Sequence, residues 1–357
     1  MIERIEIEMK HLNNLLFLLL ILVSTVIIRP LFGLNEYQSL QMKQEIIKRV
    51  FEANQELSIP CVIDRCSIQE LDGMVMARVS WRAEEKGIWI RKSIFFTISE
   101  VYYGSNIHQK MIIYKPRGIH KRILPPKISK DYDGVIDRLE LQPHTRIYIE
   151  VPGGGGSGHY VSIDNPPTSR GFAMLMREIA VAVIDYRPML DFSVDPEAPL
   201  EAIPRIAFIW DQYEDVFQAI SKIMEMDYEV IGTFGHSYGA YLCSILAAKN
   251  PGLQGRLFLG AGIYNVFSAS EYWFHWFGVY LPCEDWLKEW SPGSTNFDGE
   301  NTLIACPVFD TVVPPAHSFW LKDIWPNAIL KEYPSDHDFA GVNKELLEDV
   351  IKWMLYH

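Results

Sequence analysis

The chain is 357 residues long, 48% hydrophobic and 22% charged, a balance that excludes wholesale disorder and leaves enough apolar material for a large core. Lys+Arg 33 against Asp+Glu 45 gives a formal net charge of −12, and no basic tract is present to neutralise phosphates, so nucleic acid is excluded as a partner. The 5 Cys lack paired CxxC spacing, which excludes a disulfide scaffold and a cysteine zinc site.

In chain order, the first feature is the apolar run 15–28 (LLFLLLILVSTVII), followed by Arg29 and Pro30. It is short against the ~20 residues of a spanning helix and of the right length for the core of a signal peptide. Met9, Lys10 and His11 would form its polar lead-in, although no small-x-small cleavage site stands out near Ser24. The expectation is a chain exported to an extracellular or periplasmic space, or held by a membrane tether. A buried or docking N-terminal helix is the alternative. Cys61 and Cys66 are close enough in sequence to be bridged in an exported chain, whereas Cys243 and Cys306 sit in apolar runs and read as core thiols.

Residues 36–56 have helix-favouring composition, with Leu40, Ile46, Ile47, Val50 and Phe51 as the apolar positions. From 59 to about 118 the pattern changes to strands. Residues 74–81, 88–99 and 110–114 are rich in β-branched and aromatic types, with turns at Asp72-Gly73 and at 103–106. Residues 117–133 are basic, contain Pro125-Pro126 and read as a connector.

From Arg146 onward strand and helix signals alternate. Strands are expected at 146–151, 181–186, 229–234, 256–260, 301–309 and 328–333. Helices are expected at 172–179, 211–226, 238–249 and 344–356, the last two-thirds of the chain thus reading as α/β with a parallel sheet. The expected organisation is a leader or anchor over 1–34, a β-rich region over 35–125 and an α/β catalytic unit over 126–357.

The strongest chemical signal is Gly235-His236-Ser237-Tyr238-Gly239, placed between a predicted strand and a predicted helix. That context turns a common pentapeptide into a nucleophile elbow, where a tight turn lifts a serine hydroxyl above the helix N-terminus. A serine hydroxyl is a weak nucleophile and needs a base oriented by an acid. Asp310, at the end of a predicted strand, and His337, in the loop before the last helix, supply them in the chain order serine, acid, histidine. Asp323 and Asp336 are weaker acid candidates, since neither closes a strand. His236 is fixed beside the nucleophile and reads as a packing or hydrogen-bonding neighbour; His159, His275 and His317 are candidate substrate contacts.

Acyl transfer also needs donors for a developing oxyanion. The backbone N–H of Tyr238 is one, and Gly154 or Gly155, in the run Pro152-Gly153-Gly154-Gly155-Gly156, is the expected second. A bland Gly-rich linker is the competing reading; a phosphate-binding loop is weak because no GK[ST] follows. Between Tyr264 and Ser291 lie Tyr272, Trp273, Phe274, Trp276, Phe277, Trp286 and Trp290, either a lid lining a pocket or the core of an added helical pair.

On these motifs residues 146–357 resemble the α/β-hydrolase superfamily and, more narrowly, the catalytic domain of prolyl-oligopeptidase-type (S9) serine hydrolases. The narrower resemblance rests on Tyr238 and Tyr241 after the nucleophile, on Ser291-Pro292, and on Asp310 followed by Val312-Val313-Pro314. It implies Ser237 as nucleophile, Asp310 as acid, His337 as base and the Tyr238 N–H as oxyanion donor, with no cofactor and no metal. Two departures stand out. Pro152 replaces the His or Tyr that many relatives carry before the glycine pair, and residues 35–145 are too few for a gating propeller, which shifts the expectation from peptidase toward esterase. The expected function is therefore hydrolysis of a small-molecule ester or short peptide through an acyl-enzyme. The alternative is a non-catalytic hydrolase-like binding module anchored at a membrane.

Overall fold

The computed structural model describes residues 36–71, 74–85, 87–104, 109–123, 146–154, 167–187, 209–265 and 288–356. The apolar run 15–28 lies outside them. Among the described residues no helix is long and apolar enough to cross a membrane.

Helix α1 (Glu36–Glu56) is followed by an antiparallel meander of β1 (Cys61–Leu71), β2 (Met74–Glu85), β3 (Ile88–Tyr102) and β4 (Lys110–Ile123). Then come β5 (Arg146–Val151), α2 (Ser169–Leu175), β6 (Ala180–Ile184), α3 (Ile209–Glu225), β7 (Glu229–His236), α4 (Tyr238–Lys249) and β8 (Arg256–Gly260). The chain closes with β9 (Thr302–Pro307), α5 (Ala316–Ile324), β10 (Ile329–Tyr333) and α6 (Asn343–Tyr356). All the strands form one sheet in the order β1-β2-β3-β4-β6-β5-β7-β8-β9-β10. Met111–Tyr114 of β4 pair with β6, so the meander continues directly into the parallel half.

Strands buried on both faces explain why the second half reads as continuous apolar runs rather than as alternation. One face is covered by α1, α2 and α6, whose Ile46, Val50, Phe172, Leu347 and Val350 pack with Val79, Phe96, Val181 and Phe258. The other is covered by α3, α4 and α5, whose Val216, Ile220, Leu242, Leu246 and Leu321 pack with Ile147, Ile149, Ala182 and Leu259. In β2 the buried positions Val75, Ala77, Val79, Trp81 and Ala83 alternate with partly exposed ones, as a strand with a single covered face requires.

Two expectations are corrected. Residues 117–123 do not begin a connector but extend β4, which pairs with β3 as far as Ile123. Pro116 misleads at the sequence level, yet β6 pairs with β4 only up to Tyr114, so Pro116 sits where one side of β4 is open and a missing N–H is tolerated. A bulge at Arg117 absorbs the irregularity. Cys61 and Cys66 both lie on β1 and are free thiols. Five residues along a strand at ~3.3 Å each separate them by roughly 16 Å, far beyond the ~7 Å a disulfide spans.

The docking of α1 against β1, α2 and α6 is an integral part of the core. Ile46→Ala, at a fully buried position, should lower stability by about 2–4 kcal/mol in urea denaturation. Leu40→Ala, at a position 54% exposed on the same helix, should change it by less than about 0.5 kcal/mol.

Candidate active site

Ser237 occupies the junction of β7 and α4 with φ 52° and ψ −121°, a backbone conformation that a non-glycine residue holds only when its surroundings enforce it. Three contacts do so. The Ser237 N–H donates to the Gly260 carbonyl at the end of β8, at 2.8 Å, and the Ser237 carbonyl accepts from the N–H groups of Ala240 and Tyr241. The flanking glycines complete the enforcement. A Cβ on Gly239 would lie 2.2 Å from the Val151 carbonyl oxygen and 2.4 Å from that of Pro152, and one on Gly235 would lie 2.7 Å from the Ala240 Cα. A serine at a helix N-cap ordinarily turns its hydroxyl onto the first-turn N–H groups. Ser237 makes no such bond, and its Oγ is directed elsewhere.

That direction is toward His337, whose Nε2 lies 3.0 Å from Ser237 Oγ. The imidazole Nδ1 is 2.7 Å from Asp310 Oδ2. A carboxylate can only accept, so Nδ1 carries the proton and Nε2 presents its lone pair to the serine hydroxyl. The second carboxylate oxygen of Asp310 accepts from the N–H groups of Val312 and Val313, each at 2.8 Å. The Asp310 side chain is fully buried and that of His337 is 14% exposed, so solvent reaches the pair only at the imidazole.

The placement of Asp310 differs in detail from a strand end. Strand β9 stops at Pro307, and Asp310 follows in a turn closed by its own N–H on the Pro307 carbonyl. The apolar Val308 and Phe309, which read as strand, instead bond to the carbonyls of Tyr333 and Ser335 in and after β10, and Phe309 is exposed. The same turn brings Asp310 beneath the loop that carries His337.

The expected oxyanion donors divide. Tyr238 is the first residue of α4, beside Ser237. Gly154 follows β5 with φ 79°, a conformation suited to glycine, and Gly155 lies outside the described residues. The glycine of this turn that meets Ser237 is Gly153, where a Cβ would stand 2.7 Å from the Ser237 Cβ. Tyr186, just past β6, donates its hydroxyl to the Pro152 carbonyl at 2.7 Å. In a planar trans peptide the C=O and N–H point opposite ways, so this bond fixes the direction of the Gly153 N–H. Sequence reasoning passed over Tyr186; its place at the end of a predicted buried strand was the available signal.

His236 donates from Nε2 to the main-chain carbonyl of His337 at 3.0 Å, with the two rings 5.1 Å apart. Burial lowers its pKa to about 4, aided by the nearby His337 and Arg170. His317 lies on α5, buried, and its Nδ1 accepts the Asn265 N–H at 3.1 Å; burial lowers its pKa while the Asp310 carboxylate pulls the other way. His159, His275 and most of the aromatic stretch lie outside the described residues. Trp290 is described and sits against Tyr213 and under the Tyr241 hydroxyl. No group of metal-ligating side chains occurs among the described residues. A cavity lined by Gln254, Glu300 and Thr302 opens at the amino ends of β8 and β9, the sheet edge opposite Ser237.

No protein-family model matches the chain, and no curated protein matches it in sequence. Solved structures do. The chain is similar to a prolyl endopeptidase structure at 13% identity and TM-score 0.51, over 82% of this chain and 52% of that one, so it spans about half the length of that enzyme. It is also similar to Est1E from Butyrivibrio proteoclasticus, at 12% identity and TM-score 0.48 over 72% and 97% of the two chains. A third likeness is to a truncated carbohydrate esterase from gut microbiota, at 17% identity and TM-score 0.45 over 72% and 95%. The likeness at TM-score 0.51 shows the fold alone: the chain has the α/β-hydrolase fold, with its antiparallel strands at the amino-terminal side of the sheet.

Two consequences are measurable. Gly239→Ala should destabilise the protein by about 1–3 kcal/mol in denaturant unfolding, because two strand-end carbonyls occupy the space of the new methyl. For His236 the folded pKa lies below the ordinary value of 6.5, so the unfolded chain binds more protons between pH 6.5 and about 4. Stability should therefore fall through that window on acidification, by up to about 3 kcal/mol from this group, and the fall should shrink by that amount in His236→Gln.

Proposed function

We propose that the protein is a serine hydrolase that cleaves a carboxylic ester or amide bond through an acyl-enzyme. The observation that carries this reading is the continuous chain of bonds from Ser237 Oγ through His337 to Asp310, anchored at each end by backbone: the serine by a strained turn, the carboxylate by two main-chain N–H groups. In this mechanism His337 Nε2 takes the Ser237 proton as Oγ attacks the substrate carbonyl carbon. Asp310 holds the imidazole in the Nδ1–H tautomer and stabilises the imidazolium that forms. The Tyr238 N–H at the start of α4, and an N–H of the Gly153-Gly154 turn, face the negative charge that develops on the carbonyl oxygen. Imidazolium Nε2–H then protonates the departing alcohol or amine, and water delivered by the same base releases the acid.

Small esters are the favoured substrates, with short peptides second, since residues 35–145 are too few to form a gating propeller. We further propose that the apolar run 15–28 exports or tethers the protein.

Hydrolysis of p-nitrophenyl acetate tests the reading. Ser237→Ala should lose on the order of 10³–10⁶ in kcat, and Asp310→Asn on the order of 10⁴, both without loss of fold. A fluorophosphonate probe should label wild type at Ser237 and leave the alanine variant unlabelled. Absence of labelling in wild type would favour the non-catalytic alternative.

A further inference from the structure

The residue before the nucleophile has no part in the relay, yet it touches both halves of the site. His236 Nε2 lies 3.0 Å from the backbone carbonyl of His337, across 101 residues of sequence. A carbonyl oxygen offers only lone pairs, so Nε2 must carry the proton, and in the neutral ring Nδ1 is then bare. On the other side a Cβ on Gly153 would stand 3.4 Å from His236 Nδ1 and 2.9 Å from the His236 carbonyl oxygen, so the strand-end glycine turn rests against the same residue. Phe339 approaches the ring at 6.3 Å from the base loop, and the charges of Arg170 and Asp338 lie near it.

From this geometry we infer that His236 is a positioning residue: a neutral imidazole whose Nε2–H pins the main chain of His337 and so sets the reach of the base to Ser237 Oγ. The inference rests on the hydrolase reading above, and the site gives a reason for the arrangement. His337 stands on a loop between β10 and α6, not on a strand, and its side-chain bonds to Asp310 and Ser237 fix the ring but not the backbone that carries it. His236 sits on the rigid end of β7, one residue from the serine, and ties that backbone to the same strand. Nucleophile and base thereby share one reference frame. Neutrality matters as well, because a charged neighbour would oppose the imidazolium that forms on His337 during the reaction.

The test compares His236→Phe, which keeps a ring but has no donor, with His236→Gln, whose amide N–H can reach the same carbonyl. Displacing a base by a fraction of an ångström to 1 Å costs up to about 100-fold in rate. His236→Phe should therefore lower kcat on p-nitrophenyl acetate by about 10- to 100-fold with KM changed less than about threefold, and slow fluorophosphonate labelling in parallel. His236→Gln should restore both to within a few-fold of wild type. A phenylalanine variant with wild-type kcat, or a glutamine variant as impaired as it, overturns the inference while leaving the hydrolase reading intact. A wild type inert toward ester and probe overturns the hydrolase reading and the inference with it. If His236→Phe does not fold, ¹⁵N NMR of histidine-labelled wild type decides, the His236 signals being assigned by their loss in His236→Gln. The neutral Nε2–H tautomer at pH 7 is expected, and an Nδ1–H tautomer or an imidazolium overturns the role.

Discussion

Every feature of the site depends on one constraint of space: the passage from β7 into α4 leaves no room for a side-chain carbon on either flank of Ser237. Gly239 lies under the carbonyls of Val151 and Pro152, and Gly235 lies against the backbone of α4. The close approach of these three segments holds Ser237 at positive φ, and that conformation turns its hydroxyl away from the helix it would otherwise cap. The strain is stored locally, at a cost of order 1–3 kcal/mol, and is held by the backbone bond to Gly260 and by the sheet behind it. A serine in relaxed geometry at the same position would turn its oxygen onto the first-turn N–H groups of the helix and away from His337.

The sheet supplies the rest by its order. Parallel neighbours β5, β7, β8, β9 and β10 end on one edge, so segments from distant parts of the chain converge there. Tyr186 from β6 reaches the Pro152 carbonyl after β5, Gly260 from β8 takes the serine N–H, and Asp310 and His337 follow β9 and β10. The two apolar layers differ in what they do for this edge. The layer of α3, α4 and α5 carries the helix that follows Ser237 and the helix that follows Asp310. The layer of α1, α2 and α6 carries the helix that follows His337, and it also covers the antiparallel strands.

Much of this was legible in the sequence, and the reason is physical. The elbow requires glycine at fixed offsets between a strand and a helix, so its spacing survives as a motif. Serine and acid each follow a run of buried strand residues, whose apolar composition marks them, whereas His337 follows β10, in which only Tyr333 is buried. Element positions in the second half were accordingly close, with helix α2 beginning three residues earlier than its apolar pattern suggested because Thr168 caps it. The antiparallel half was less legible. Its strands are covered on one face only, and Pro116 with Gly118 imitates a chain break inside β4, where register with β3 is in fact maintained by a bulge. The thiols at Cys61 and Cys66 gave a similar false signal, since nearness along the chain becomes distance once the segment is extended.

Contacts that bridge remote segments were the part the sequence concealed. Neither the Tyr186 bond to Pro152 nor the His236 bond to His337 has a local signature, because each depends on which strands become neighbours. Both act on main-chain carbonyls, and this explains why side-chain identity at the acceptor carries no information: Pro152 stands where a histidine or tyrosine was expected, yet its carbonyl is held all the same. Orientation of the glycine turn thus passes from the residue before it to a tyrosine on the adjacent strand. The residue type at position 152 therefore does not decide the direction of the Gly153 N–H, since the group that fixes it belongs to another element.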